Sequence, residues 1–87
     1  MPTISYFFGI YIMMYFDEHF PPHFHAKYQG FKGSIHIQTG ELIDGKLPKQ
    51  ALRLIEEWRR IHESELMKAW DDARHFKHPG KIAPLED

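Results

Sequence analysis

The chain has no cysteine, which excludes a disulfide framework and any thiolate metal site and suits a reducing compartment such as the cytoplasm. Nor is there an excess of charge: eleven Lys and Arg against twelve Asp and Glu leave −1 with neutral histidines. No overall basic field draws such a protein to phosphate backbones, so nucleic acid binding would need a local patch. Long apolar runs are missing too. The most apolar stretch, Phe7 to Phe16, is interrupted by Gly9 and is far shorter than the roughly 20 residues of a membrane helix. With no basic leader before it, no membrane association is expected.

What is present points to one small globular domain. At 87 residues and 43% hydrophobic content, the chain is too apolar for intrinsic disorder. It is also so short that folding removes only about 60% of its unfolded surface from water. Seven histidines titrate near neutrality unless their surroundings shift them, so acidification turns the protein cationic.

Thr3 to Phe8 and Ile10 to Phe16, rich in β-branched and aromatic residues, read as two strands meeting near Gly9. On the second, Ile10, Ile12, Met14 and Phe16 share one face and Tyr11, Met13 and Tyr15 the other. Two apolar faces need cover on both sides, so the Tyr11/Met13/Tyr15 side is expected either to form a subunit interface, as in a homodimer or a non-enzymatic protein-interaction module, or to be covered by a helix or tail of the same chain. Asp17 to Pro22 is a loop, because its prolines cannot supply ladder donors.

A hairpin follows, with its turn at Gln29-Gly30. That turn makes directly opposed residue numbers sum to 59. Phe24, Ala26, Gly33 and Ile35 then form one face, while His23, His25, Lys27, Lys32, Ser34 and His36 form the other. A short strand at Glu41 to Ile43 ends at Asp44-Gly45, and Pro48 opens a helix. Ala51, Ile55, Trp58, His62, Leu66, Ala69, Ala73 and Phe76 lie in one stripe at 100° per residue, which predicts a single long helix to near His75 with a possible kink near Ser64. The expected fold is α+β: a mostly antiparallel sheet of about five strands with that helix on its apolar face, residues 1–76 forming the domain and 77–87 an irregular tail in which Ile82 and Leu85 can dock.

Four histidines fall within "HFPPHFHAKYQGFKGSIHIQ", residues 19–38. His23, His25 and His36 share a face at cross-strand spacing, so three imidazoles can converge. Three histidines with a vacant fourth position are a catalytic zinc set, which makes a divalent metal one option for this face. The same residues with Lys27 or Lys32 also suit metal-free acid/base cleavage of a phosphodiester such as RNA. A plain solvated sheet face is the third option, and the residues leave all three open. His62 and Glu65 form a second candidate: both lie within the helix stripe, where polar groups need partners, and they can pair with each other or bind a ligand.

Four stretches, "MPTISYFFGI", "MYFDEHFPPHFHAKY", "TGELIDGKLP" and "ALRLIEEWRRIHESELMKAW", together cover nearly the whole chain. They resemble the bacterial domain of unknown function 4160. The resemblance implies a small stand-alone bacterial protein, often paired with a domain of unknown function 2442 partner. Some such pairs look like toxin-antitoxin modules, with the member similar to this chain as the toxin-like component acting on RNA or translation. The resemblance carries no catalytic residues. Tyr6 stands where the family usually has arginine, and His36 where it usually has an acidic residue; an acid facing His23 and His25 would suit a metal or an oriented base.

Overall fold

Two tight turns set the hairpins. At Phe8-Gly9 and Gln29-Gly30 both central residues have positive φ, 49° and 81° in the first and 46° and 85° in the second. This is the type I′ backbone whose twist matches the strands it joins, and glycine at its second position avoids the Cβ clash of that conformation. The computed structural model describes residues 2–86; Met1 and Asp87, the outer ends of the expected domain and tail, lie outside the described residues. Five strands, β1 (Thr3–Phe7), β2 (Ile10–Met13), β3 (His23–Tyr28), β4 (Phe31–His36) and β5 (Leu42–Lys46), form one antiparallel sheet in chain order. The β3–β4 register is the expected one, with His23 opposite His36, Phe24 opposite Ile35 and His25 opposite Ser34.

Two strand boundaries need correction. The second strand ends at Met13, not Phe16, because the chain then leaves the ladder: Met14 N–H donates to Pro2 O at 3.2 Å and Asp17 N–H to Ala73 O at 3.2 Å. Asp44-Gly45 does not end β5 but lies within it. Gly45 sits at φ 82° opposite Gly33, where a Cβ would meet the Lys32 carbonyl oxygen at 2.3 Å, and the register shifts just beyond, between Ser34 and Ile35.

The single long helix is two helices, α1 (Lys49–Ile61) and α2 (Glu63–Arg74), separated by His62 at φ −114° and ψ 23°. The charges on either side suit two helix ends. Arg59 and Arg60 end α1 and Glu63 and Glu65 begin α2, each set matching the partial charge of its own helix terminus. The break removes Glu65 from the apolar stripe, and its side chain is about half exposed. Phe76, past the end of α2 at φ 60°, is exposed rather than buried.

Both helices cover the apolar face of the sheet. Ile4, Ile10, Ile12, Phe24, Ala26 and Ile35 pack there against Ala51, Ile55, Trp58, Leu66 and Ala73, all essentially inaccessible. Trp58 is central, its ring 5.3 Å from Phe7 and 5.8 Å from Phe24. The irregular tail completes this layer: Ile82 and Leu85 are buried, Ile82 N–H donates to Ile4 O at 2.7 Å, and Ala83 O accepts the indole N–H of Trp58 at 2.8 Å. Arg59 ties α1 to the chain after β4. Its Nη1 donates to Ile37 O at 2.8 Å, while Nε and Nη2 grip both oxygens of Glu56 at 2.8 and 2.7 Å. Among the described residues no helix is long and apolar enough to cross a membrane.

Two outcomes test this layer. Ile82→Ala lowers stability by about 2–4 kcal/mol in urea denaturation, as expected for emptying a buried aliphatic site; a tail lying loosely on the surface gives a change within about 0.5 kcal/mol. Glu56 is held down to about 2, chiefly by the hydrogen bonds from Arg59, which with Arg60 outweigh the upward pull of burial. A carboxyl lowered in the folded state contributes stability that is present above its ordinary pKa and lost as pH falls toward the folded value. Glu56→Gln is therefore less stable than the native chain at pH 7, and the gap closes between about pH 4.5 and pH 2. A gap of constant size across that range in acid-denaturation curves refutes the assignment.

Candidate metal centre

Alternation along β3 turns Phe24 and Ala26 into the core and leaves His23, His25 and Lys27 on the open face. The loop before β3 then folds back over that face. His23 Nδ1–H donates to Pro21 O at 2.8 Å, so in the neutral ring the lone pair is on Nε2. That Nε2 lies 3.2 Å from Glu18 Oε1. His25 Nε2 contacts the same carboxylate oxygen, and His25 Nδ1 is hydrogen-bonded to Ser34 Oγ, directly across on β4, at 3.2 Å. Two imidazoles thus aim equivalent nitrogens at one acid while their other nitrogens are held from behind.

The cluster is sheltered. The side chains of His23, His25 and Glu18 are 12%, 22% and 24% exposed, well short of a freely solvated face. Tyr15 packs on His25 with ring centroids 4.2 Å apart, and Trp70 of α2 packs on His23 at 5.1 Å. Arg74 lies over the Phe20 ring beside them, 4.2 Å from its centroid. Burial pushes the Glu18 carboxyl upward, but the hydrogen bonds and charges of His25 and then His23 prevail and leave it below its ordinary value. One ligand atom from each of Glu18, His23 and His25 lies within 4.8 Å of the others, and among the described residues this is the one group of three or more His, Asp or Glu side chains gathered so closely. Ligands about 2.1 Å from a shared cation stand roughly 3 to 3.5 Å apart, so the three need only a small adjustment.

A cleft of about 250 Å³ opens over the cluster, with Phe20, Ser34 and Asp44 also in its walls. It adjoins a groove of about 220 Å³ that continues past Met13 and Tyr15 to Lys32.

His36 does not join the cluster. It is opposite His23 in the ladder, but its Nδ1 accepts the backbone N–H groups of Gln38 and Thr39 at 3.1 and 3.3 Å, serving the turn after β4. Lys27 sits two residues beyond His25 on the same face, exposed and outside the metal set. Tyr11, Met13 and Tyr15 divide: Tyr11 is exposed and packs on Tyr6, whereas Tyr15 covers His25. His62 lies outside this cluster, its ring on Trp58 and its Nδ1 hydrogen-bonded to Glu65 Oε1 at 2.5 Å.

Glu18, Asp44 and Trp70 line the candidate site but are not singled out by pattern reading, which does place Ser34 on the histidine face. Glu18 alone had a signal: an acid a few residues before a His-x-His, in a loop whose prolines turn the chain. No curated protein and no solved structure matches the chain. Residues 9–71, which run from the turn before β2 into α2 and include Glu18, His23 and His25, match the model of a domain of unknown function, DUF4160, and the chain belongs to that family.

Proposed function

We propose that Glu18, His23 and His25 bind a divalent transition metal and that the protein is a metal-dependent hydrolase acting in the cleft above them. One observation carries this. Both imidazoles are oriented through Nδ1, by the Pro21 carbonyl and by Ser34, and both present Nε2 to the same carboxylate. Metal-bound histidines characteristically donate their second nitrogen to such outer partners. Two histidines and a glutamate with an open position form one of the catalytic zinc sets, and a cation held there supplies Lewis acidity and a water that ionises near neutrality.

A metal-free acid/base pair fits less well, because both Nε2 atoms converge on one carboxylate oxygen instead of standing apart on two sides of a scissile bond. A toxin-like role in a two-protein bacterial module is supported by the family resemblance and is compatible with a hydrolytic site of this kind.

Isothermal titration of metal-free, untagged protein with zinc gives about one ion per chain. Glu18→Ala, His23→Ala and His25→Ala each lose at least tenfold in affinity, and His36→Ala retains it. Zinc binding unchanged by Glu18→Ala removes this site. For the toxin-like role, induced expression arrests growth and Glu18→Ala relieves the arrest; arrest that persists with Glu18→Ala at equal protein level points to sequestration of a target instead.

A further inference from the structure

The ladder lines up five exposed residues across the whole open face. Tyr6 opposes Tyr11, Tyr11 opposes Lys27, Lys27 opposes Lys32 and Lys32 opposes Lys46. The row crosses all five strands, about 19 Å at ordinary strand spacing. Directly opposed like charges destabilise a sheet, and here three lysines stand side by side. Among the described residues none of them is in an ion pair. Asp44, one row away opposite Ser34, engages the backbone N–H of Gly45 through Oδ1 at 2.9 Å. At the other end of the row the Tyr6 and Tyr11 rings lie 4.6 Å apart, tilted by 42°, both about half exposed.

From this we infer that the row is a binding track for single-stranded nucleic acid, with phosphates on Lys27, Lys32 and Lys46 and a base stacked on the tyrosine pair. Ammonium groups in line with an adjoining aromatic platform are the combination that single strands require. The local patch also answers the near-neutral overall charge, since binding needs the field only here. Lys27 lies about 7 Å along β3 from His25, so a strand on the row passes beside the metal cluster. Its turnover rests on the hydrolytic reading above, although its binding does not. In that reaction the oxygen of water bonds to phosphorus and the phosphodiester P–O bond breaks. One proton goes to the departing sugar hydroxyl and the other is released with the phosphomonoester product.

Fluorescence anisotropy with a short labelled RNA of mixed sequence, using the full chain in EDTA, tests binding apart from metal. The single strand binds with log K falling against log salt at a slope of about −2, three phosphates at roughly −0.7 each, and its duplex binds more weakly. Lys27→Gln/Lys32→Gln/Lys46→Gln flattens the slope toward zero while melting no lower than the native chain, because repulsion is relieved. Tyr11→Ala weakens single-strand binding about tenfold. No binding at low salt, equal binding of the duplex, or an unchanged slope in the triple variant overturns the inference. Binding without cleavage when zinc is restored upholds the track and sinks the hydrolytic reading alone. Zinc-dependent cleavage of a small aryl phosphodiester by protein that does not bind RNA does the reverse.

Discussion

Every feature of the open face depends on the parity with which β3 pairs with β4. A slip of one residue would turn His23, His25 and Lys27 into the core and push Phe24 and Ala26 into water. The Gln29-Gly30 turn sets that parity at one end, and side-chain size confirms it along the strands. Gly33 opposes Ala26, and a Cβ at Gly33 would lie 2.8 Å from a methyl of Leu42 and 3.0 Å from one of Leu47. Glycine at 33 leaves the two leucines room on the core side of β4.

The opposite face provides the rigidity that the cluster needs. A sheet one layer thick cannot hold two rings and a carboxylate in place while its other side is loose, and a chain this short has little core to spare. Trp58 therefore fills the centre with a bond from its indole to Ala83, the tail seals its flank with Ile82 and Leu85, and Arg59 fastens α1 to Ile37. The helical layer also reaches the site directly. Once the axis is broken at His62, α2 sets Trp70 against the His23 ring, which a single straight helix confined to the apolar face was not expected to do.

Much of this was legible in the sequence because it follows from period and turn chemistry. The β3–β4 register, the helical stripe through Trp58 and Leu66 and the docking of Ile82 and Leu85 are consequences of where apolar residues recur. The misreadings share a different cause, contacts between residues far apart in pattern. Gly45 inside a strand reads as a stop until the Gly33 opposite it is known. His36 has the right ladder position for the cluster, yet the turn that follows takes its nitrogen. Glu18 is in an irregular loop, where periodicity says nothing about direction. The break at His62 was half visible, since the basic residues before it and the acidic residues after it mark two helix ends, but a continuous apolar stripe obscured them.

The two charged arrangements on the open face are opposite in sign, which makes them complementary. Glu18 places its carboxylate toward any phosphate approaching along the groove, while Lys27, Lys32 and Lys46 repel one another. A divalent cation on Glu18, His23 and His25 turns the local charge from negative to positive, so the acid that would repel a phosphate becomes part of a site that attracts one. A bound polyanion in turn offsets the lysine row beside the cation. Coupling of this kind is reciprocal: whatever factor the metal adds to affinity for the strand, the strand adds to affinity for the metal. If both proposed ligands bind, a nearly neutral protein confines strong electrostatics to one face and has no general attraction to nucleic acid.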